Sequence, residues 1–351
     1  MSTRTQPLVS VITPVYNGAE FLRECIESVL AQTYTNWDYT ILNNCSTDRS
    51  LEIAQEYAAS DPRIRVVSNP AFLPVIANHN AALRLISQDS KYCKVVFADD
   101  WIYPECLEKM VALAERNTSV GIVGSYRLVG DELRSDGPPY GRSVVTGREI
   151  CRSALLEGIY PFGTSTSLLI RSDLIRDRSP FFNESNLHAD LEACYELLKY
   201  HDFGFLHQVL TFTRMQKGTL SFVSREIGTL FAGNLANLVE FGPHYLRPDE
   251  FKAALQDRLR GYYRFLGRGV LERRGKGFLA FHAGKLRELS VPLNRLRVFL
   301  QAARYALDRA LALNWWPYVL SKRVLRAMGS KPRESSAEEV RTQTATAHRL
   351  R

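Results

Sequence analysis

Asp99 and Asp100 stand side by side after an apolar, β-rich run, Val95, Val96 and Phe97, and ahead of Trp101 and Pro104. A buried strand ending in adjacent carboxylates sets hard oxygen ligands at the carboxyl edge of a sheet, where open α/β sheets bind ligands. With no lysine or arginine beside them the two charges repel, and a divalent cation is the usual remedy. The competing reading is a strand that ends in a turn, since aspartate is common in turns and can cap the helix that Pro104 opens. What else reaches that sheet edge separates the two.

The elements around the pair alternate. Leu8–Thr13 is a short β-branched run that leads into Pro14-Val15-Tyr16-Asn17-Gly18, a loop signature immediately after a strand. Phe21, Leu22, Cys25, Ile26, Val29 and Leu30 recur at helical spacing, which predicts an amphipathic helix over Ala19–Ala31. A strand at Tyr39–Leu42 ends in the polar run Asn43-Asn44-Cys45-Ser46-Thr47-Asp48. Helix Leu51–Ala59, strand Ile64–Val67, helix Ala77–Ile86 and strand Cys93–Phe97 follow. Strands alternating with helices imply a mostly parallel, Rossmann-like α/β sheet, and three strand ends carry polar clusters. No GxGxxG follows a strand and no GxxxxGK[ST] occurs, so a dinucleotide dehydrogenase and a P-loop phosphotransferase are both disfavoured.

The second half of the sheet domain begins after Val123. Arg142–Leu156 gives a polar loop and a helix, and Pro161–Thr166 is a small-residue turn before strand Ser167–Arg171. In NLHADLEACYELLKY, Leu187, Leu191, Cys194, Tyr195 and Leu198 make one apolar helical face, with Asp190 near the start of the helix. By itself Asp190 there favours the helix's positive N-terminus. Strand Phe205–Arg214 closes this half.

The ordered stretches SVITPVYNGAEFLRECIESVLAQTYTNWDYTILNNCSTDRS and, about fifty residues on, FADDWIYPECL resemble the family-two glycosyltransferases of GT-A fold over roughly residues 8–220. The resemblance implies a nucleotide-diphosphate-sugar donor, a Mg²⁺ or Mn²⁺ ion and inverting transfer to a hydroxyl. Carried over by position, Pro14 and Tyr16 resemble the loop against the nucleotide base, and Tyr16 would stack on it. Asn44 falls where relatives carry an aspartate that accepts a hydrogen bond from the base. Asp48 lies in the same motif and serves equally as a cap for helix Leu51–Ala59. Asn80 resembles an asparagine of the donor site, with His79 in place of the arginine that precedes it in relatives. Asp100 resembles the direct metal ligand, Asp99 a ribose or water contact, and Asp190 the general base; His188 is a weaker base candidate. Arg214 resembles a diphosphate contact, while Gln216 stands where relatives place a histidine.

At 351 residues, 45% hydrophobic and 23% charged, the composition is that of a globular protein with room for one large domain and an appendage, or for two domains. Six scattered cysteines without a CxxC read as reduced thiols. The polar start MSTRTQP lacks the apolar core of a signal peptide, and no apolar run approaches the length of about 18 residues that a spanning helix needs. A cytoplasmic protein, peripheral at the inner face of the cell membrane, is the expectation. The net charge of +8 is unevenly placed: residues 251–351 hold 22 Lys and Arg against 7 Asp and Glu, and the first 250 hold 23 against 30. Such a basic region attracts polyanions, anionic lipid headgroups among them.

Beyond about Glu226 the pattern turns helical over Phe251–Leu266, Phe278–Leu289 and Leu293–Leu313. Trp315-Trp316-Pro317-Tyr318, between arginine-rich helix and Lys322-Arg323, resembles an interfacial membrane anchor; the alternative is a helical subdomain packed on the catalytic domain or on a second subunit. The domain expectation is residues 1–225 catalytic, 226–330 a basic helical extension and 331–351 a disordered tail. The functional expectation is inverting transfer from a nucleotide-sugar, a UDP-sugar by analogy, to a saccharide or lipid-linked acceptor in bacterial surface polysaccharide synthesis. The alternative is a non-catalytic nucleotide-sugar-binding or scaffold protein of the same fold. A homodimer is one expected association, and nucleic acid is not an expected partner.

Overall fold

The computed structural model describes residues 6–215, 224, 226–275 and 277–311. Strand β1 (Val9–Val15) is buried at every position, the signature of a strand covered on both faces. It pairs in parallel with β2 (Trp37–Asn43) on one side and β4 (Tyr92–Val95) on the other, and β3 (Ile64–Ser68) extends the sheet beyond β2. The connecting helices are α1 (Leu22–Leu30), α2 (Ser50–Ser60) and α3 (Val75–Leu83).

The main sheet path runs β3-β2-β1-β4-β9-β6-β10-β5. β5 is Trp101–Ile102, β6 is Val120–Val129, β9 is Leu168–Arg171 and β10 is Asp202–Thr213; α4 (Cys106–Arg116) joins β5 to β6. β9 lies antiparallel to both β4 and β6, so the expected parallel order holds on the β1 side and gives way to a mixed sheet beyond β4. β6 was not anticipated as a strand, because its apolar run is cut by Gly121 and Gly124, which weaken a strand signal. Both glycines sit where a Cβ would press on a residue just before or in the adjacent β10, His201 for Gly121 and Phe203 for Gly124.

Two side strands complete the sheet: β7 (Glu132–Arg134) on β6 and β8 (Val144–Val145) on β10. The chain continues through α5 (Gly147–Leu156), α6 (Ser172–Arg176) and α7 (Ala189–Leu197). Thr146 caps α5 by accepting from the Glu149 backbone N–H at 3.2 Å.

Successive residues of the central strands serve two separate cores, since strand side chains alternate between faces. Ile12, Leu42, Val95 and Ile122 pack with α3, α5 and α7; Val11, Ile41, Val96 and Val123 pack with α1, α2 and α4. The result is three layers with the sheet in the middle.

Three helices follow: α8 (Thr229–Tyr245), α9 (Pro248–Leu271) and α10 (Gly277–Glu288), with residues 295–311 also helical. The described residues separate into two compact units, one reaching to residue 262 and taking up 274–293, the other formed by 263–273 with 294–311. The expected boundary at 225 lies inside the first unit, because α8 packs on α5 and Phe241 stacks on Tyr195 of α7. Among the described residues no helix is long and apolar enough to cross a membrane. Gln216, Trp315–Tyr318 and the expected tail fall outside the described residues.

Candidate functional site

β4 hands its chain on through Val96, whose N–H donates to Ile12, and then turns back at Asp100, whose N–H donates to the Phe97 carbonyl at 2.9 Å. The short β5 then pairs antiparallel with the end of β10. Asp99 and Asp100 therefore occupy a turn held between two parts of the sheet, at the carboxyl edge that the sequence predicts.

Asp100 is buried. Its Oδ2 accepts from Thr166 Oγ1 at 2.6 Å, and its Oδ1 accepts from the backbone N–H of Arg214 at 3.1 Å. The Arg214 Nε donates to the Asp99 carbonyl at 3.2 Å, and its guanidinium also pairs with Glu24 and lies 4.1 Å from the centre of the Phe21 ring. Lys94, fully buried, donates to the Thr166 carbonyl at 2.6 Å. Cations thus do stand near the pair in space, although none adjoins it in sequence.

Burial, reinforced by the neighbouring Asp99 charge, pushes the Asp100 carboxyl up to about 7, and burial raises Asp99 as well. Two carboxylates driven toward protonation in this way are chemically matched to a divalent cation, which favours the ionised form of both. Each Asp100 oxygen spends one acceptor position on the protein and keeps another. Among the described residues no group of three or more His, Cys, Asp or Glu converges, so a bound ion would complete its shell from ligand oxygens and water.

The two loops after β1 and β2 are stitched together. Asn17 adopts a left-handed backbone, φ 49°, and its side-chain oxygen accepts from the Thr47 N–H at 2.8 Å. Asp48 accepts from the Ser50 N–H and the Ala19 N–H, so it ties the start of α2 to the other loop. Pro14 is buried in β1, whereas Tyr16 is 50% exposed and meets the exposed Phe72 edge-on, with ring centres 4.9 Å apart. No sequence pattern singled out Phe72 as a neighbour of Tyr16.

Asn44 and Asn80 are both buried, and each side chain makes three hydrogen bonds to the protein. The Asn44 side-chain oxygen accepts from the Leu73 N–H and from Asn69 Nδ2, each at 2.9 Å, and its Nδ2 donates to the Leu73 carbonyl. It fixes the segment that presents Phe72. Asn80 exchanges two bonds with the Phe182 backbone and donates to Glu184. His79 stacks on Phe97 with centres 4.8 Å apart, and burial lowers it to about 4, so it is neutral near pH 7.

Asp190 is the second residue of α7, near the helix start as the sequence suggests, whereas Leu187 precedes the helix and is exposed. The Asp190 Oδ1 accepts from the Leu191 N–H at 2.9 Å. Burial raises its carboxyl, opposed by the charge of His188. His188 instead pairs its Nε2 with Thr229 Oγ1 at 3.0 Å, which orients it toward α8. Glu192, two residues on, is bonded by Asn183 and Asn186, so Asp190 is the less engaged carboxylate of this helix. Arg127 of β6 contributes charge at both Asp100 and Asp190, which sets the two carboxylates around one region.

Residues 10–178 match the model for glycosyl transferase family 2. Asp190 and Arg214 lie beyond that match. A glycosyltransferase of Haemophilus influenzae is 29% identical over 188 residues, 52% of this chain and 58% of that protein. The glycosyltransferase GlyG of Streptococcus pneumoniae is 28% identical over 185 residues, 50% of this chain and 58% of its own length. The chain therefore spans a little over half of these curated relatives. Among solved structures, Staphylococcus aureus TarS 1–349 in complex with UDP superposes with a TM-score of 0.59 at 16% identity, covering 85% of this chain and 87% of that one. The mannosyltransferase PcManGT of Pyrobaculum calidifontis, in complex with GDP-Man and Mn²⁺, gives 0.55 at 18% identity over 88% and 81%. With the fold, the sheet-edge carboxylates and the family match in agreement, residues 10–178 are a glycosyl transferase family 2 domain of GT-A fold.

Proposed function

We propose that this protein is an inverting glycosyltransferase that moves a sugar from a nucleotide-diphosphate donor to a hydroxyl of a saccharide or lipid-linked acceptor. The observation that carries the reading is two desolvated, upward-shifted carboxylate sites, Asp99-Asp100 in the family 2 domain and Asp190 just beyond it, both within reach of the Arg127 charge. Mg²⁺ or Mn²⁺ held by Asp100, with Asp99 beside it, would neutralise the charge on the departing diphosphate. Tyr16 and Phe72 offer an open aromatic surface for the base. Because UDP and GDP-Man both occur in neighbours of this fold, a uracil base rests on analogy alone. Arg214, already seated over Asp99, stands where a guanidinium can meet phosphate oxygens.

Asp190 serves as the general base. Burial keeps its carboxylate poorly solvated and therefore more basic, and its second oxygen is available to an acceptor hydroxyl. A binding-only protein has no use for such a group, which is why the transferase reading is preferred to the scaffold one. The test is release of nucleoside diphosphate from a panel of UDP- and GDP-sugars with Mn²⁺ or Mg²⁺. Release that requires metal and Asp100 supports a donor site; failure of both release and nucleoside-diphosphate binding sinks the transferase reading.

A second proposal concerns place. In the helix over residues 295–311, Leu296, Phe299, Leu300, Leu307 and Leu311 are exposed along one face, bordered by Arg295, Arg297 and Arg304. An apolar stripe with basic flanks suits the surface of an anionic membrane, where surface polysaccharide acceptors are carried. Co-sedimentation with phosphatidylglycerol vesicles, lost on Phe299→Glu, is expected. A concentration-dependent dimer with no vesicle binding would assign the stripe to a second copy instead.

A further inference from the structure

Arg127 sits in β6, opposite Arg134 of β7 and Thr211 of β10. It is 8% exposed, and its Nε and Nη1 are buried without a hydrogen-bond partner among the described residues. Its guanidinium carbon lies 5.7 Å from the centre of the Tyr160 ring, whose hydroxyl donates to the Gly163 carbonyl while the Tyr160 backbone N–H donates to Asp136. A buried cation with unmade bonds is costly, so its persistence here calls for an explanation in terms of a ligand.

Three hydroxyls share the condition. Ser135 Oγ, Thr164 Oγ1 and Thr213 Oγ1 are also buried and unpartnered. Ser135 follows Arg134, the residue paired with Arg127, and a Cβ placed on Gly163 would lie 3.3 Å from Ser135 Oγ, so Thr164 is close by. Thr213 pairs with Val129, two residues along β6 from Arg127. The cluster also adjoins the carboxylate turn through the chain itself. Thr213 precedes Arg214 and Thr164 lies two residues before Thr166, and Arg214 and Thr166 are the two residues that bond to Asp100.

The chemistry of these groups narrows the ligand. Nε–H and the Nη1 hydrogens leave a guanidinium along different edges, so they address two separated oxygens and not the paired oxygens of one carboxylate. Serine and threonine hydroxyls both donate and accept, as the hydroxyls of a sugar ring do. We propose that Arg127, Ser135, Thr164 and Thr213 form the subsite for the sugar ring being transferred, with Arg127 donating to two of its hydroxyl oxygens. The assignment rests on the transferase reading, which requires the reacting ring to lie between the diphosphate at Asp100 and the base at Asp190.

The experiment compares, by calorimetry with Mn²⁺, the binding of UDP and GDP with that of UDP-N-acetylglucosamine and GDP-mannose to the full chain. For Arg127→Met, diphosphate affinity is expected to stay within about twofold, while the ratio of sugar-nucleotide to diphosphate affinity falls about ten- to hundredfold, the scale of charged hydrogen bonds lost. Ser135→Ala and Thr213→Val should each lower that ratio a few-fold, and they carry the test should the arginine variant fail to fold. Equal weakening of both ligand classes would make Arg127 a prop for the Asp100 turn and overturn the proposal. An unchanged donor ratio with a raised acceptor KM would assign the cluster to the acceptor and overturn it equally. If the wild type binds neither diphosphate nor sugar nucleotide, the transferase reading fails and this assignment with it.

Discussion

The loops after β1 and β2, proposed here to hold the donor, and the region between the two carboxylates are built on opposite principles. In the loops, Asn17, Asn44, Asp48 and Asn69, with Asn80 of α3 behind them, direct polar atoms at backbone and at neighbouring side chains. In the region of Arg127, Ser135, Thr164 and Thr213, two guanidinium nitrogens and three hydroxyls are buried with no hydrogen-bond partner among the described residues. A surface whose hydrogen bonds are already made is fixed before any ligand arrives, and it can present an aromatic pair such as Tyr16 and Phe72 at a set place. A surface with unmade bonds gains most from a ligand that supplies them, and it discriminates against one that does not.

The steepest way to break the comparison is at the catalytic end. Asp190→Asn should lower kcat by about 10² to 10⁴-fold, the usual worth of a general base, with nucleoside-diphosphate affinity unchanged in a binding assay. The wild-type rate should rise with pH as Asp190 loses its proton, above the ordinary aspartate range because burial raises it, and the asparagine variant should lack that limb. Asp100→Asn should cost about 10³-fold in kcat/KM for the donor, and, unlike the Asp190 change, it should also abolish the metal dependence of diphosphate binding.

Smaller effects separate the two regions more finely. Tyr16→Ala should weaken nucleotide binding by about 1–3 kcal/mol, the value of a base on an aromatic face, with a thermal midpoint close to wild type because the ring is half exposed. Asn80→Ala should do the reverse, lowering unfolding free energy in urea by about 2–3 kcal/mol through the unpaired Phe182 backbone while leaving base recognition intact.

The mildest prediction concerns pH. Folded His79 stays neutral down to about 4, whereas the unfolded chain takes up that proton from about 6.5. Below 6.5 the unfolded state therefore binds more protons, and stability falls as pH drops toward 4. Urea midpoints measured across that window should show a slope that His79→Gln flattens; an unchanged slope would mean that the ring is hydrated in solution.

Sequence alone determined what is periodic or local. The alternation of β-branched runs with amphipathic stretches gave β1 to β4 and the helices between them within a few residues, since strand and helix periods are written directly into side-chain order. The Asp-Asp turn was legible because the chain itself places both carboxylates after an apolar strand. Tertiary structure decided what depends on partners far apart in the chain. β6 and β9 acquire their places by pairing across the sheet, antiparallel where the run of βαβ units stops. Thr166 and Arg214, 66 and 114 residues from Asp100, become its hydrogen-bond partners only when β10 and the segment before β9 reach the same edge. Asn44, alike in sequence to a base contact, turned out to spend its side chain on Leu73 and Asn69. Arg127 was invisible for the same reason: an arginine in a strand has no periodic signature, and that its Nε and Nη1 find no partner among the described residues is a property of the packed interior. A residue's type fixes which bonds it can make, and the fold fixes which of them remain to be made by a ligand.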